Sequence, residues 1–186
     1  MVTDPRLSLS HRLAGVDDLD AIKDLMAQAI RVNMAAFLSD DEITAATETM
    51  GVDQTLIADK TYFLIYYFAD GKETLVGCGG WGKRKTLYGG DHTPGRDATL
   101  LDPKIDAARI RAMYTHPDWT RRGVGSYLLD LGEQAARDAG FEMIELGSTL
   151  AGEPLYRATG YRELTRHVTV AENGAKNVII HMRKEL

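Results

Sequence analysis

From Arg109 to Leu146 the chain reads strand, glycine-marked turn, helix, strand, and this order constrains its fold more than any other stretch. Arg109 to Thr115 reads as a strand, ended by His116-Pro117-Asp118. Val124, Tyr127, Leu128, Leu131 and Ala135 then recur at helical spacing to about Ala139, and Gly140 stops the helix. Phe141 to Leu146 is the next strand. The start of a helix leaves backbone N–H groups without intrahelical partners and carries partial positive charge, which makes it an anion site. Gly123 and Gly125 remove side chains where a phosphate must come close to the backbone. Arg121 and Arg122 oppose the helix dipole, at a cost of up to about 1 kcal/mol each, a placement that makes sense beside a polyanion. The plainer alternative is that the arginines are solvated loop charges and the glycines only make the turn.

The flanking sequence completes a mixed α/β pattern. Leu7 to Arg12 alternates as a short strand. Leu19, Ile22, Leu25, Met26, Ala29 and Ile30 mark an amphipathic helix. Ser39-Asp40-Asp41-Glu42 opens a second helix running from Ile43 to Met50, with acids where the dipole favours them. Tyr62 to Phe68 and Thr74 to Trp81 form a hairpin about Asp70-Gly71-Lys72. Gly77, Gly79 and Gly80 weaken the second strand but permit close approach by a ligand or a bulge. Lys83 to Asp106 is broken by Gly89-Gly90-Asp91 and Pro94-Gly95, and a loop this long is functional or disordered. Glu153 to Ala158 is a short helix closed by Gly160. Arg162 to Val170 and Asn177 to Met182 pair around Glu172-Asn173-Gly174. The expected order is strand, two helices, three strands, helix, strand, helix, two strands, in a single domain spanning 1–186.

Composition excludes several classes. The 186 residues are 44% hydrophobic, enough for one sizeable core. A net charge of -5 is the opposite of a nucleic-acid binder's balance. Cys78 is the single cysteine, so neither an intrachain disulfide nor a paired-cysteine metal site exists, and the five histidines lack a metal-binding spacing. We expect no metal. Met1 to Ser10 is polar and lacks the apolar stretch of a secretory signal, and no apolar run is long enough for a bilayer. These features read as a cytoplasmic protein with no membrane and no nucleic-acid partner.

The anion site matches neither common nucleotide motif. There is no GxxxxGK[ST], and the third glycine of GxGxxG is replaced by Leu128. The run His116-Pro117-Asp118-Trp119-Thr120-Arg121-Arg122-Gly123-Val124-Gly125-Ser126 instead resembles the acetyl-CoA signature of the GNAT superfamily of N-acetyltransferases, [QR]-x-x-G-x-[GA], here covering Thr120 to Gly125. Leu155-Tyr156-Arg157-Ala158-Thr159-Gly160-Tyr161 resembles that family's second motif, and the element order agrees over most of the chain. Thr120 departs from the usual Gln or Arg, Thr149 stands where many members place Asn, and the 83–106 loop is longer than usual.

The resemblance implies a GNAT-like fold, a central, mostly antiparallel, splayed sheet of about six or seven strands flanked by helices. It implies acetyl-CoA as acyl-donor cosubstrate. Backbone groups of Arg121, Arg122, Gly123, Val124, Gly125 and Ser126 hold the pyrophosphate. The edge at Met113, Tyr114 and Thr115 pairs with the pantetheine arm like an added strand. An amine of a small molecule or peptide attacks the thioester in a ternary complex, and a backbone N–H near Tyr114 meets the oxyanion. Tyr156 protonates the leaving thiolate, a phenol of pKa near ~10 being protonated at neutral pH. Without the resemblance, spacing alone favours Tyr156 as a partly buried aromatic packing on Tyr161.

No general base is assigned. His116 is the shaper of a turn or a base, and Glu145 is a salt-bridge partner or a base. Asp40, Asp41 and Glu42 start a helix that often borders the acceptor site in this family. Trp81 and Tyr66 belong to the core or line an acceptor pocket. Cys78 is a small buried residue, and Asp91 and His92 are solvated loop residues or substrate contacts. Two other functions compete: a CoA-binding sensor or degenerate homologue without transfer, and an interaction module whose arginines bind an acidic partner. The acidic balance hints at a cationic acceptor such as a polyamine or aminoglycoside. The C-terminal strands of such folds often pair across a homodimer.

Overall fold

In this computed structural model, residues 9–186 are described. Part of the first expected strand, Leu7 and Ser8, lies outside them. The elements are β1 (Leu9–Leu13), α1 (Leu19–Asn33), α2 (Asp40–Thr47), α3 (Gln54–Ala58), β2 (Tyr62–Ala69), β3 (Lys72–Gly82), β4 (Ala108–Thr115), α4 (Val124–Asp138), β5 (Met143–Ser148), α5 (Glu153–Ala158), β6 (Arg162–Val170) and β7 (Lys176–Glu185). The expected order holds with one addition. Five-residue α3 is too short to show a periodicity, and its start is fixed by the Asp53 carboxylate, which accepts from the Thr55 N–H at 3.1 Å.

Seven strands form one sheet in the order β1-β2-β3-β4-β5-β7-β6, and every neighbouring pair is antiparallel except β4 and β5. This is the mostly antiparallel sheet the resemblance implied. α1 places Ile22, Leu25, Ala29 and Ile30 against one face, with Leu64, Cys78 and Tyr114. α4 covers the other, where Val124 and Leu128 meet Ile65 and Val76, and Leu129 and Ala136 meet Ile110 and Ile144. Each such aliphatic side chain contributes about 1.5–3 kcal/mol by leaving water. β4, pressed between α1 and α4, is therefore rigidly placed. The Ser39 hydroxyl caps α2 by accepting from the Glu42 N–H, while the Glu42 carboxylate accepts from the Ser39 N–H at 2.9 Å. Asp40, Asp41 and Glu42 are thus a helix start, as the sequence favoured.

The 83–106 connection is neither free nor disordered. Arg84 pairs with Asp59 at 2.7 Å, and Arg96 binds Asp53 at 2.6 Å and Asp91 at 3.1 Å. Buried Arg111 of β4 binds Asp53 at 2.8 Å and donates to the carbonyls of Thr86 and Gly89. These ion pairs fold the loop back against α3 and β4. Long-range ion pairs leave no periodic trace in a sequence.

Candidate active site

β4 and β5 pair only at Ala108–Ile144 and Arg109–Glu145, whereas all of β5 pairs with β7. From Ile110 onward the β4 edge facing β5 has no strand partner, and a cleft of about 850 Å³ opens there. Met113, Tyr114 and Thr115 line it. The edge carries a bulge. Cys78 pairs with Tyr114 and Gly80 with Arg111, so Gly79 opposes both Ala112 and Met113. Ala112 takes φ +50°, a left-handed conformation that costs a non-glycine residue about 1–2 kcal/mol. The buried Tyr62 hydroxyl holds it by donating to the Ala112 carbonyl at 2.8 Å. Bulges next to active sites re-aim backbone groups. The glycines of β3 admit protein rather than ligand: a Cβ at Gly77 would lie 2.4 Å from Val124, and one at Gly79 2.8 Å from Met113.

The β4–α4 turn passes through left-handed conformations at Arg121 (φ +62°) and Gly123 (φ +85°) before α4 begins at Val124. Gly123 supplies no side-chain cap, so the first-turn amides of this helix are available to an anion. Arg121, Gly123, Gly125 and Ser126 line the cleft. Arg122 and Val124 do not. The Arg122 guanidinium stacks 5.0 Å from the Trp119 ring, and the Val124 side chain is buried against β3. Gly125 has a second reason to be glycine, because a Cβ there would lie 2.8 Å from Leu155 of α5. The Thr115 carbonyl already accepts from the Asn33 side chain at 2.8 Å, which pins the end of α1 to β4. Positive helix terminus, bare strand edge and bulge together fit a ligand that is anionic at one end and extended along its length.

Residues 60–163 match the sequence family described as the acetyltransferase (GNAT) domain. The chain belongs to the GNAT acetyltransferases. No curated protein sequence matches it. Among solved structures, a GCN5-related N-acetyltransferase of Rhodopseudomonas palustris superposes with TM-score 0.64 at 18% identity, covering 96% of each chain. The PaiA N-acetyltransferase of Thermoplasma acidophilum, solved with coenzyme A, gives 0.59 at 15%, covering 96% of this chain and 99% of that one. A ribosomal-protein-alanine N-acetyltransferase of Brucella melitensis gives 0.59 at 19%, covering 95% and 99%. At these identities the likeness bears on the fold. This acetyltransferase is acyl-CoA-dependent, with acetyl-CoA as cosubstrate.

Tyr156 of the acetyltransferase lines the cleft from α5, 8% exposed, its ring edge-on to Tyr161 with centroids 5.7 Å apart. Its hydroxyl has no hydrogen-bond partner among the described residues, and burial pushes its pKa up to about 12. Its ring packs as the plainer reading of the sequence expected, and its hydroxyl is left without a partner. Thr149 lines the cleft while its hydroxyl accepts from the Gly152 N–H at 3.2 Å, so it helps start α5. Thr120 also lines the cleft, and its hydroxyl donates to the Pro117 carbonyl at 3.1 Å.

Other candidates stand away from the cleft. His116 Nδ1 accepts from the Asp118 N–H at 3.2 Å and shapes the turn. Glu145, buried, is surrounded by Arg109, Arg183 and His181, and the guanidinium and imidazole hold its carboxyl below the usual range against the cost of burial. Trp81 is core, edge-on to Phe141, and the Tyr66 hydroxyl accepts from Arg12 at 2.8 Å. Cys78 is buried, and its thiol is pushed up to about 12. Asp91 binds Gln54 and Arg96, and His92 contacts the Glu48 carbonyl at 3.0 Å. No group of three His, Cys, Asp or Glu residues able to hold a metal occurs among the described residues. No helix among them is long and apolar enough to cross a membrane.

Sequence reasoning missed Arg111, Tyr88, Phe37 and Met34, which line the far end of the cleft. Tyr88 packs across β5, where a Cβ at Gly147 would lie 3.0 Å from its ring. Nothing in the periodicity around Tyr88 could have found it.

Proposed function

We propose that this acetyltransferase moves the acetyl group to a primary amine by direct attack in a ternary complex, and that Tyr156 is the proton donor. Acetyl-CoA, when bound, would supply an acyl thioester whose sulfur leaves with a proton from Tyr156, and the proton lost by the attacking nitrogen returns to the Tyr156 phenolate, directly or through water. The amides opening α4 at Gly123 to Ser126 suit its diphosphate. The unpaired β4 edge from Met113 to Thr115 suits an extended amide-bearing arm. This reading assigns a backbone N–H near Tyr114, beside the Ala112–Met113 bulge, to the developing negative charge on oxygen. The observation that carries the reading is Tyr156, a buried residue lining the cleft whose hydroxyl has no hydrogen-bond partner among the described residues. Its raised pKa keeps it a donor at neutral pH. All three relatives described above are N-acetyltransferases by name, which supports the amine as acceptor. The reading treats residues 1–186 as one domain, in a cytoplasmic setting where a lone thiol such as Cys78 stays reduced.

Tyr156→Phe separates catalysis from packing. Turnover should fall about 100-fold or more, the range for loss of a positioned proton donor, while acetyl-CoA affinity by calorimetry stays within about twofold. A variant with full turnover removes Tyr156 from the chemistry.

A further inference from the structure

The acceptor end of the cleft is built from side chains of uniform character. α1 and the segment after it supply Ile30, Met34 and Phe37, the connection between α2 and α3 supplies Met50, and β7 supplies Ile179. None of these titrates. Across the whole cleft the titratable lining residues among those described are Tyr88 from the loop, Arg111 and Tyr114 from β4, Arg121 from the turn before α4, and Tyr156 from α5. The charged ones are both cations. No Asp, Glu or His side chain among the described residues lines it; the Asp118 carboxylate, between the lining residues Pro117 and Trp119, is exposed to solvent, and the others named here are engaged. Asp53 is shared by Arg111 and Arg96, Asp91 is bound by Arg96 and Gln54, and His92 and His116 face backbone groups. Val32, Phe37 and Tyr88 are exposed at the mouth by 49%, 51% and 38%. An ammonium group entering here meets apolar walls and the Asp53-paired Arg111, with no lining carboxylate among the described residues to balance it and no lining histidine or carboxylate to take its proton.

Only a neutral amine attacks a carbonyl. At pH 7.4 a lysine-type amine of pKa about 10.4 is neutral to roughly one part in a thousand, whereas a peptide α-amine of pKa about 7.7–8.0 is neutral to roughly a quarter. A site without a base inherits that difference of about 200-fold. Resting on the amine-acceptor reading above, we infer that the acceptor is a weakly basic amine carried on an uncharged apolar or aromatic group, such as the α-amino group of an apolar residue. Lysine side chains and polyamines are excluded. This reverses the hint of a cationic acceptor taken from net charge, because the acidic residues lie outside the cleft.

The test compares phenylalanine amide with 2-phenylethylamine, which share a phenyl group and differ in basicity, using the full chain saturated with acetyl-CoA. Phe-Gly-Gly, Nα-acetyl-lysine amide and spermidine extend the series. At pH 7.4, kcat/KM for phenylalanine amide should exceed that for 2-phenylethylamine by about tenfold, its larger neutral fraction being partly offset by the weaker nucleophilicity of the weaker base, and the gap should close as pH rises. Each profile should rise to a plateau at the acceptor's own pKa. A higher kcat/KM for Phe-Gly-Gly than for the free amide supports the proposal and assigns the source to peptide N-termini, and the reverse supports it with a small molecule as source. A break at one pH shared by all acceptors reveals an enzyme base and overturns the proposal, as does preference for spermidine or the lysine amide at pH 7.4. Those outcomes leave the amine reading standing. Bound acetyl-CoA with transfer to none of the amines overturns both.

Discussion

The two ends of the cleft are made of different material. The donor end is backbone: the turn from Arg121 to Gly123, the first amides of α4 and the bare edge of β4, all within Ala108 to Ser126. The acceptor end is side chain, drawn from α1, the α2–α3 connection, the 83–106 loop, β4, α5 and β7. A ligand common to a family can be held by main-chain geometry, which survives side-chain change. A ligand particular to one member has to be recognised by side chains, which the fold gathers from distant segments.

Ser126→Asp strikes the donor end hardest. A carboxylate in the first turn of α4 suits the helix dipole by about 0.3–1 kcal/mol, so the fold should hold or gain in Tm. The same charge meets the diphosphate, and acetyl-CoA affinity should fall about 100-fold, near 2.7 kcal/mol. Calorimetry beside a thermal melt reads both. Unchanged affinity in the folded variant would remove the anion cradle. This variant is cleaner than a large residue at Gly125, where Leu155 would be displaced as well.

Arg96→Leu strikes the acceptor end alone. It strips one guanidinium from buried Asp53 and frees Asp91, and should cost about 2 kcal/mol by urea unfolding. Acceptor KM should rise several-fold while acetyl-CoA affinity stays within about twofold. An equal loss of both would mean that the two ends are not independent.

Alkali tests the wedge where the ends meet. Burial raises the pKa values of Tyr62, Tyr114 and Tyr156, the last to about 12 from 10. A folded value above the unfolded one gives stability that is fully present below about pH 10 and lost as pH rises toward 12. The melting temperature should be flat from pH 7 to 9.5 and fall above 10. A decline that begins near pH 8 would point to another group.

The smallest effect belongs to Ala112→Gly. Relief of the left-handed conformation and the extra freedom of glycine in the unfolded chain nearly cancel, leaving a change within about 0.5 kcal/mol. Acetyl-CoA affinity should not move, because the bulge is held through a carbonyl that the variant keeps. A marked loss of affinity would show that the bulge depends on the Ala112 side chain.

Much of the donor end was legible because it is local. A strand ending before His116, glycine at a left-handed turn and a helix opening at Val124 are decided by residues within a few positions of one another. Arg122 and Val124 were expected at the cleft, yet neither lines it: Arg122 stacks on Trp119 and Val124 packs against β3. Short α3, the folded-back loop and the bulge at Ala112 escaped, since each depends on distant partners such as Asp53, Arg111 and Tyr62.

By itself the sequence determined the order of strands and helices and the family, because periodicity, turn chemistry, capping and local motifs act over neighbouring residues. Only the tertiary structure decided that the cleft is lined by tyrosines and cations, that Glu145 belongs to an ion cluster and that Tyr88 walls the acceptor end. Charge and exposure at a site are set by which distant side chains meet there, and net composition averages that away.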